Sequence, residues 1–302
     1  MSILVVGTLA LDSIETPFGK VDKVLGGSAV YFSVAASFFT DVYLVGVIGK
    51  DFPKKHLDFL RERNIDLRGV KEEEGKTFHW EGRYGYDLNE AHTLETKLNV
   101  FEKFNPDIPR EYRDFEYVFL ANVDPELQLK VLNQANKPKV VALDTMNFWI
   151  ENKLAALKKI IKLIDILIIN EAEARELAKE YNLVKASRTI LSLGPKALIL
   201  KQGTYGALMF TNASIFSAPA YPLEATLDPT GAGDSFAGGF MGYLAKCQSF
   251  NDEGIRQAII FGSVMASFCV EQFSLERLRT LTDQEITCRF NEFLNLTCFK
   301  EI

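Results

Sequence analysis

Short apolar runs recur along the chain at Ile3 to Gly7, Val42 to Ile48, Tyr117 to Leu120, Val140 to Leu143, Ile166 to Ile169 and Ala197 to Leu200. None shows the apolar–polar alternation of a half-exposed strand. Each therefore reads as a strand covered on both faces, which is the condition of a parallel sheet. Segments of helical period lie between them: Lys54 to Arg63, Pro125 to Ala135, Ile150 to Leu163, Glu171 to Glu180 and Leu183 to Leu191. Such alternation, closed by right-handed crossovers, predicts a doubly wound, mostly parallel α/β sheet flanked by helices. From Ala225 onward the pattern becomes mainly helical, over Gly233 to Cys247, Asn251 to Glu271 and Asp283 to Asn295.

Residues 13–23 and 77–100 break the alternation, because polar residues there alternate with aromatic or aliphatic ones. That pattern suits antiparallel strands with one solvated face. We expect a small antiparallel β lid projecting from the core, its plainer reading being an exposed hairpin insertion. No internal repeat or low-complexity stretch divides the chain, and residues 1–302 read as one domain carrying these two insertions.

The 34 Lys and Arg against 40 Asp and Glu leave a formal net charge of -6. This lacks the basic excess that nucleic acids or anionic membranes require, so a small-molecule partner is expected. The N-terminal MSILVVGTLALD has no basic leader region. The uncharged stretches Val24 to Thr40 and Gly206 to Leu223 carry Gly with Ser or Thr, and no membrane span is expected. Cys247, Cys269, Cys288 and Cys298 form no CxxC pair. They match neither a disulfide framework nor a zinc spacing, which suits a cytoplasmic protein with reduced thiols.

The segment richest in chemistry is Asp228 to Phe240, DPTGAGDSFAGGF, placed just before a predicted helix. Gly231 and Gly233 flank Ala232 and permit backbone angles closed to other residues. Successive amides can then converge on an anion at the helix N-terminus. Asp234 follows at once. As a lone first-turn acid it would only complement the helix dipole. Beside an anion hole it would repel a phosphate unless it had a task, and accepting a proton from an attacking hydroxyl is such a task. GxxxxGK[ST] is absent, and the third glycine of GxGxxG is missing.

These residues resemble the ribokinase-like, or PfkB-type, carbohydrate kinases over essentially the whole chain. The family signature DTxGAGD is met by Asp228, Thr230, Gly231, Ala232, Gly233 and Asp234, with Pro229 in its second position. A glycine-pair signature is met by Gly26, Gly27, Ser28 and Ala29. The resemblance implies a ribokinase-like sandwich, ATP as phosphoryl donor, Mg²⁺ organised near Asn170 and Glu173, and Asp12 on substrate hydroxyls. It also implies nucleotide contacts from Lys201, Gly203, Gly206 and Thr230, allows a monovalent cation, and makes a homodimer through the lid an expectation. Asp12, Asn170, Lys201 and the Gly231 turn all follow predicted strand ends, where open α/β sheets bind their ligands. Plainer readings stand beside these: Asn170 and Glu173 as a helix cap and first-turn acid, Gly26 and Gly27 as a strand-to-helix turn, and Lys201 as a solvated turn residue.

The pattern departs from the family where an Asn that touches the sugar is replaced by Tyr31, followed by Phe32. Tyr31 reads either as core or as an aromatic wall for a flat ligand. Arg83 and Asn89 are the expected polar lid contacts to substrate, and Asp144 to Trp149 partly resembles a family stretch on the substrate side. The function the resemblance implies is transfer of the ATP γ-phosphoryl to a hydroxyl of a small sugar or polyol, with Asp234 as base. The alternatives are a nucleoside kinase and a non-catalytic binding protein of the same fold.

Overall fold

The computed structural model describes residues 2–298; Met1 and residues 299–302 of the expected domain lie outside the described residues. The strands are β1 Ser2–Val6, β2 Ala10–Thr16, β3 Gly19–Gly26, β4 Asp41–Gly49, β5 Ile65–Glu73, β6 Phe78–Tyr84, β7 Ala91–Lys97, β8 Tyr117–Leu120, β9 Val140–Asp144, β10 Ile166–Asn170, β11 Ala197–Lys201, β12 Ala207–Thr211 and β13 Ile215–Ala218. The helices are α1 Ser28–Ala36, α2 Lys54–Glu62, α3 Pro125–Leu132, α4 Asn147–Asn152, α5 Leu154–Ile161, α6 Glu171–Ala178, α7 Leu183–Leu191, α8 Ala232–Cys247, α9 Asp252–Cys269, α10 Glu276–Thr280 and α11 Asp283–Thr297.

A nine-stranded sheet runs β13-β12-β11-β10-β9-β8-β1-β4-β5. It is parallel except for β12 and β13 at one edge, which return as antiparallel strands. The apolar runs behave as expected of strands covered on both sides. Ile3, Val5, Ile166, Ile168 and Ile199 point into a core shared with α1, α8 and α9. Their neighbours Leu4, Val6, Leu167, Ile169 and Leu200 point into a second core with α5, α6 and α7. Side chains alternate faces along a strand, so only an uninterrupted apolar run can fill both layers.

A separate four-stranded sheet, β3-β2-β6-β7, is built from the two stretches that broke the alternation. Its outer pairs are antiparallel and its central pair, β2 with β6, is parallel. The sheet begins at Ala10 and β3 runs on to Gly26, beyond the expected 13–23, because Ala10, Leu11 and Leu25 are buried and apolar and look like core in sequence.

The edge strand β5 was missed as well. Its solvated face, rich in Asp, Arg, Lys and Glu, hides the period of its buried positions Ile65 and Gly69. The expected helix Ile150 to Leu163 is broken into α4 and α5 at Lys153, whose backbone leaves the helical region at φ -134. Among the described residues no helix is long and apolar enough to cross a membrane.

Candidate active site

Asp144, Asn170 and Lys201 are the last residues of β9, β10 and β11, which lie side by side in the sheet. Asn170 pairs in register with Lys201, and Asp144 with Ile168, two residues before Asn170. Parallel strands bring such ends to one edge, and α8 starts over that edge. A Cβ added to Gly233 in its first turn would stand 3.1 Å from Lys201 Nζ. The ammonium therefore lies against the glycine turn.

That turn is held by Asp228, whose Oδ1 accepts from the Thr230 amide (2.9 Å) and whose Oδ2 accepts from the Ser274 amide (2.9 Å). Gly231 caps α8 in the left-handed conformation at φ 75. Any side chain there would also meet the Tyr31 ring, 2.3 Å from the Cβ position. Of the residues expected to offer amides, Ala232 donates instead to Pro229 O at 3.1 Å. The amides of Gly231, Gly233 and Asp234 have no protein partner among the described residues, and a helix start with free amides attracts an anion.

Asp234 is half-buried, and burial together with the nearby charge of Asp144 pushes its carboxyl up to about 7, against the pull of Lys201. Lys201 Nζ donates to Asp144 Oδ2 at 3.1 Å, and the other Asp144 oxygen accepts from the Thr145 amide at 2.8 Å. Burial raises Asp144, partly offset by Lys201. Burial by itself would lower the Lys201 ammonium, but Asp144, Glu173 and Asp234 outweigh it and hold the charge.

Glu173 is buried, and desolvation lifts it to about 7, opposed by Lys201 and assisted by Asp144. Its Oε2 accepts from the Asn170 amide at 2.7 Å, while Asn170 Oδ1 accepts from the Glu173 amide at 2.8 Å. The plainer reading of this pair, a capping box, is thus present. It also fixes Glu173 beside the Asp144–Lys201 pair.

From the small sheet, Asp12 enters the same crevice at 4% exposure. Burial pushes it to about 7; the Gly27 amide lowers it, and the charges of Asp228 and Asp234 raise it. Gly26 is required beside it, since a Cβ there would lie 1.9 Å from Asp12 Oδ2. Asp12 and Asp234, distant in sequence, thus face one space together with Lys201 and the free amides. Such a site can hold an anion and take a proton from a neighbouring hydroxyl.

Several expected contacts fall elsewhere. Tyr31 is 1% exposed and supports Gly231 from beneath, so it is core and not an open aromatic wall. Arg83 is exposed and pairs with Glu15 at 2.9 Å. The register sets Glu15 beside Arg83 and Asp12 beside Trp80, so Arg83 lies on the sheet face opposite Asp12. Asn89 accepts from the Thr204 amide at 3.3 Å, touching the Gly203 to Gly206 loop and not the space around Asp12. The Thr230 hydroxyl donates to Tyr84 Oη at 3.2 Å, turned toward the small sheet and away from that loop. Gly203 opens the one-turn 3₁₀ helix Gly203–Tyr205, and Gly206 closes the loop by accepting from the Gln202 amide at 2.8 Å.

Tyr84 and Trp80 were missed by sequence reasoning, and the only available signal was their even spacing from Phe78 on the buried side of a predicted lid strand. Shallow recesses of 550 and 630 Å³ elsewhere on the surface share no residue with this crevice.

Residues 3–279 match the family model of pfkB family carbohydrate kinases. A cytidine kinase of Thermococcus kodakarensis is 31% identical over 272 residues, covering 86% of this chain and 96% of its own. A nucleoside kinase of Methanocaldococcus jannaschii is 28% identical over 263 residues, covering 86% and 82%. A ribokinase of Staphylococcus aureus is 31% identical over only 119 residues, 38% of each chain. In structure, a Burkholderia thailandensis nucleoside kinase in complex with inosine superposes with a TM-score of 0.80 over 97% of this chain and 98% of its own, at 19% identity. The chain belongs to the pfkB family of carbohydrate kinases, and it is an ATP-dependent phosphotransferase with a hydroxyl acceptor.

Proposed function

We propose that this enzyme is a nucleoside kinase, transferring the γ-phosphoryl of ATP to a hydroxyl of a nucleoside. One observation carries the reading. The cytidine and nucleoside kinases align over 86% of the chain, whereas the ribokinase match spans 38%. The likeness to nucleoside kinases thus runs over most of the chain, which favours a nucleoside as acceptor, and the free sugar or polyol favoured by motif alone takes second place.

In this mechanism the acceptor hydroxyl gives its proton to Asp234 as its oxygen forms a bond to the γ-phosphorus. The bond to the β,γ-bridging oxygen breaks, and ADP leaves. The Gly231 and Gly233 amides and the Lys201 ammonium hold the negative charge of the phosphoryl group in transit. Asp144 keeps Lys201 in place. Asp12 orients the acceptor's hydroxyls, and the small sheet acts as a lid that excludes water. The loop from Gly203 to Gly206 lies on the nucleotide side.

The site also fits a divalent cation: the carboxylates of Asp144, Glu173 and Asp234 crowd one ammonium, that of Lys201, and burial raises all three. Mg²⁺ held on the Asn170 and Glu173 side would supply charge neutralisation when bound. Pairing of lids into a homodimer belongs to the same reading and is checked by sedimentation of the purified protein.

The test is ATP turnover with a panel of cytidine, uridine, adenosine and inosine against ribose and fructose. Preference for a nucleoside in kcat/KM is expected. Activity confined to free sugars overturns the reading.

A further inference from the structure

Trp80 stands beside Asp12 in the parallel β2–β6 register, on the same face of the lid sheet. Neighbouring strands are about 4.8 Å apart, so a ligand held by Asp12 is within reach of the indole. The ring is fixed in an unusual way. It lies flat over Gly82, where an added Cβ would be 2.1 Å from Trp80 Cη2 and 2.2 Å from Cζ2. Its Nε1 donates to Thr93 Oγ1 on β7 at 3.2 Å.

One face of the indole is therefore covered by lid backbone and its polar edge is satisfied. Trp80 is nonetheless only half-buried. The surface that remains open lies on the side of the sheet from which Asp12 enters the crevice and from which Tyr84 reaches Thr230. A rigid, flat aromatic ring with one free face, next to a hydroxyl-orienting carboxylate, suits a ligand that carries hydroxyls at one end and a planar ring at the other.

We propose that Trp80 is the stacking platform for the base of the acceptor and sets the preference for nucleosides over free sugars, an inference that rests on the nucleoside-kinase reading. The arrangement divides the acceptor between neighbouring residues: Asp12 takes the sugar hydroxyls, and Trp80 takes the π-face of the base. Stacking is tolerant of base identity because every base has such a face, so the platform selects the class of nucleosides before any particular member. Gly82 belongs to the device, since any larger residue would lift the indole off the sheet.

The experiment compares wild type, Trp80→Ala and Trp80→Phe by steady-state kinetics on cytidine, ribose and ATP. Trp80→Ala should raise the KM for cytidine roughly ten- to hundred-fold, the range that loss of one base–aromatic stack gives. The KM values for ATP and ribose should hold within about two-fold, and Trp80→Phe should recover most of the loss. A second measurement keeps the Trp80 ring in place. The chain has 2 Trp, so Trp149→Phe leaves Trp80 as the one indole, and cytidine without ATP should quench its fluorescence while ribose should not.

An unchanged cytidine KM in folded Trp80→Ala, or equal rises for cytidine and ribose, overturns the platform while leaving the nucleoside reading intact. Cytidine that leaves the fluorescence of the Trp149→Phe protein unmoved also overturns the platform. Wild-type activity on free sugars alone overturns the nucleoside reading itself, which is a different result.

Discussion

The hydroxyl of Thr230 donates to the phenolic oxygen of Tyr84 across 3.2 Å, joining the anion turn to the lid sheet through residues 146 positions apart. With the contact from Asn89 to the Thr204 amide, the lid touches both the glycine turn and the Gly203 to Gly206 loop. Tyr84→Phe keeps the ring and removes the acceptor of this bond. Stability should fall by about 0.5–1.5 kcal/mol, the usual net worth of one such bond. The KM of the acceptor should rise a few fold more than that of ATP, because the lid would close less often over the acceptor. Equal KM values in a stable variant would make the bond structurally incidental.

Asp234→Asn separates chemistry from binding, since the side chain keeps its shape and loses its proton acceptor. Turnover should drop by on the order of 10²- to 10⁴-fold while ATP still binds. Because burial lifts Asp234 to about 7, wild-type kcat/KM should rise with pH through that value and level off above it, as a base must be ionised to act. The stability effect has a definite sign as well. Folded Asp234 binds its proton up to about 7, whereas unfolded Asp releases it near 3.8, so the folded state loses stability as pH rises across that window. The Asn variant escapes this loss. It should melt higher than wild type at pH 8, by roughly 2–4 °C, and no higher at pH 4. Near-wild-type turnover would remove Asp234 from the mechanism.

Lys201→Met leaves Asp144 and Glu173 buried without their cation. Such a loss costs about 3–5 kcal/mol when the orphaned charges stay ionised. Both carboxylates are already raised by burial and would rise further, so they protonate as pH falls. The drop in melting temperature should therefore be large at pH 8 and much smaller at pH 5. An equal drop at both values would mean that Lys201 contributes packing and not charge.

Gly231→Ala forces a side chain to φ 75 and into the Tyr31 ring. The left-handed conformation costs an L-residue roughly 1–2 kcal/mol before the clash is counted. Pairing it with Tyr31→Leu relieves the clash alone, so the double variant should recover part of the stability and little of the turnover. Full recovery of turnover would show that the turn needs room and not a particular backbone angle.

Glu173→Gln retains an oxygen that can accept from the Asn170 amide, so the capping box and the melting temperature should survive nearly intact. The Mg²⁺ concentration that gives half-maximal rate should rise. A changed melting temperature with an unmoved Mg²⁺ curve would leave Glu173 as a cap only.

The sequence by itself determined the doubly wound sheet and the place of the glycine turn. Strands filling two cores must be apolar throughout, as Ile166 to Ile169 are, and the left-handed cap that opens α8 is least strained for a residue without a Cβ, as Gly231 is. These are local requirements, written where they act. The tertiary structure decided which side chains meet. Asp144 and Lys201 pair because β9 and β11 flank β10, and Tyr84 reaches Thr230 because β6 lies parallel to β2. Neither relation has a local trace.

The same limit explains the misplaced contacts. Tyr31 could be read as wall or core until Gly231 was seen to rest on its ring. Arg83 and Trp80 are close in sequence, and only the pairing of β6 with β2 assigns one to the face with Glu15 and the other to the face with Asp12. A strand's alternation shows that its faces differ. Which face looks into the crevice is fixed by how the sheet packs, and that depends on residues far away in the chain.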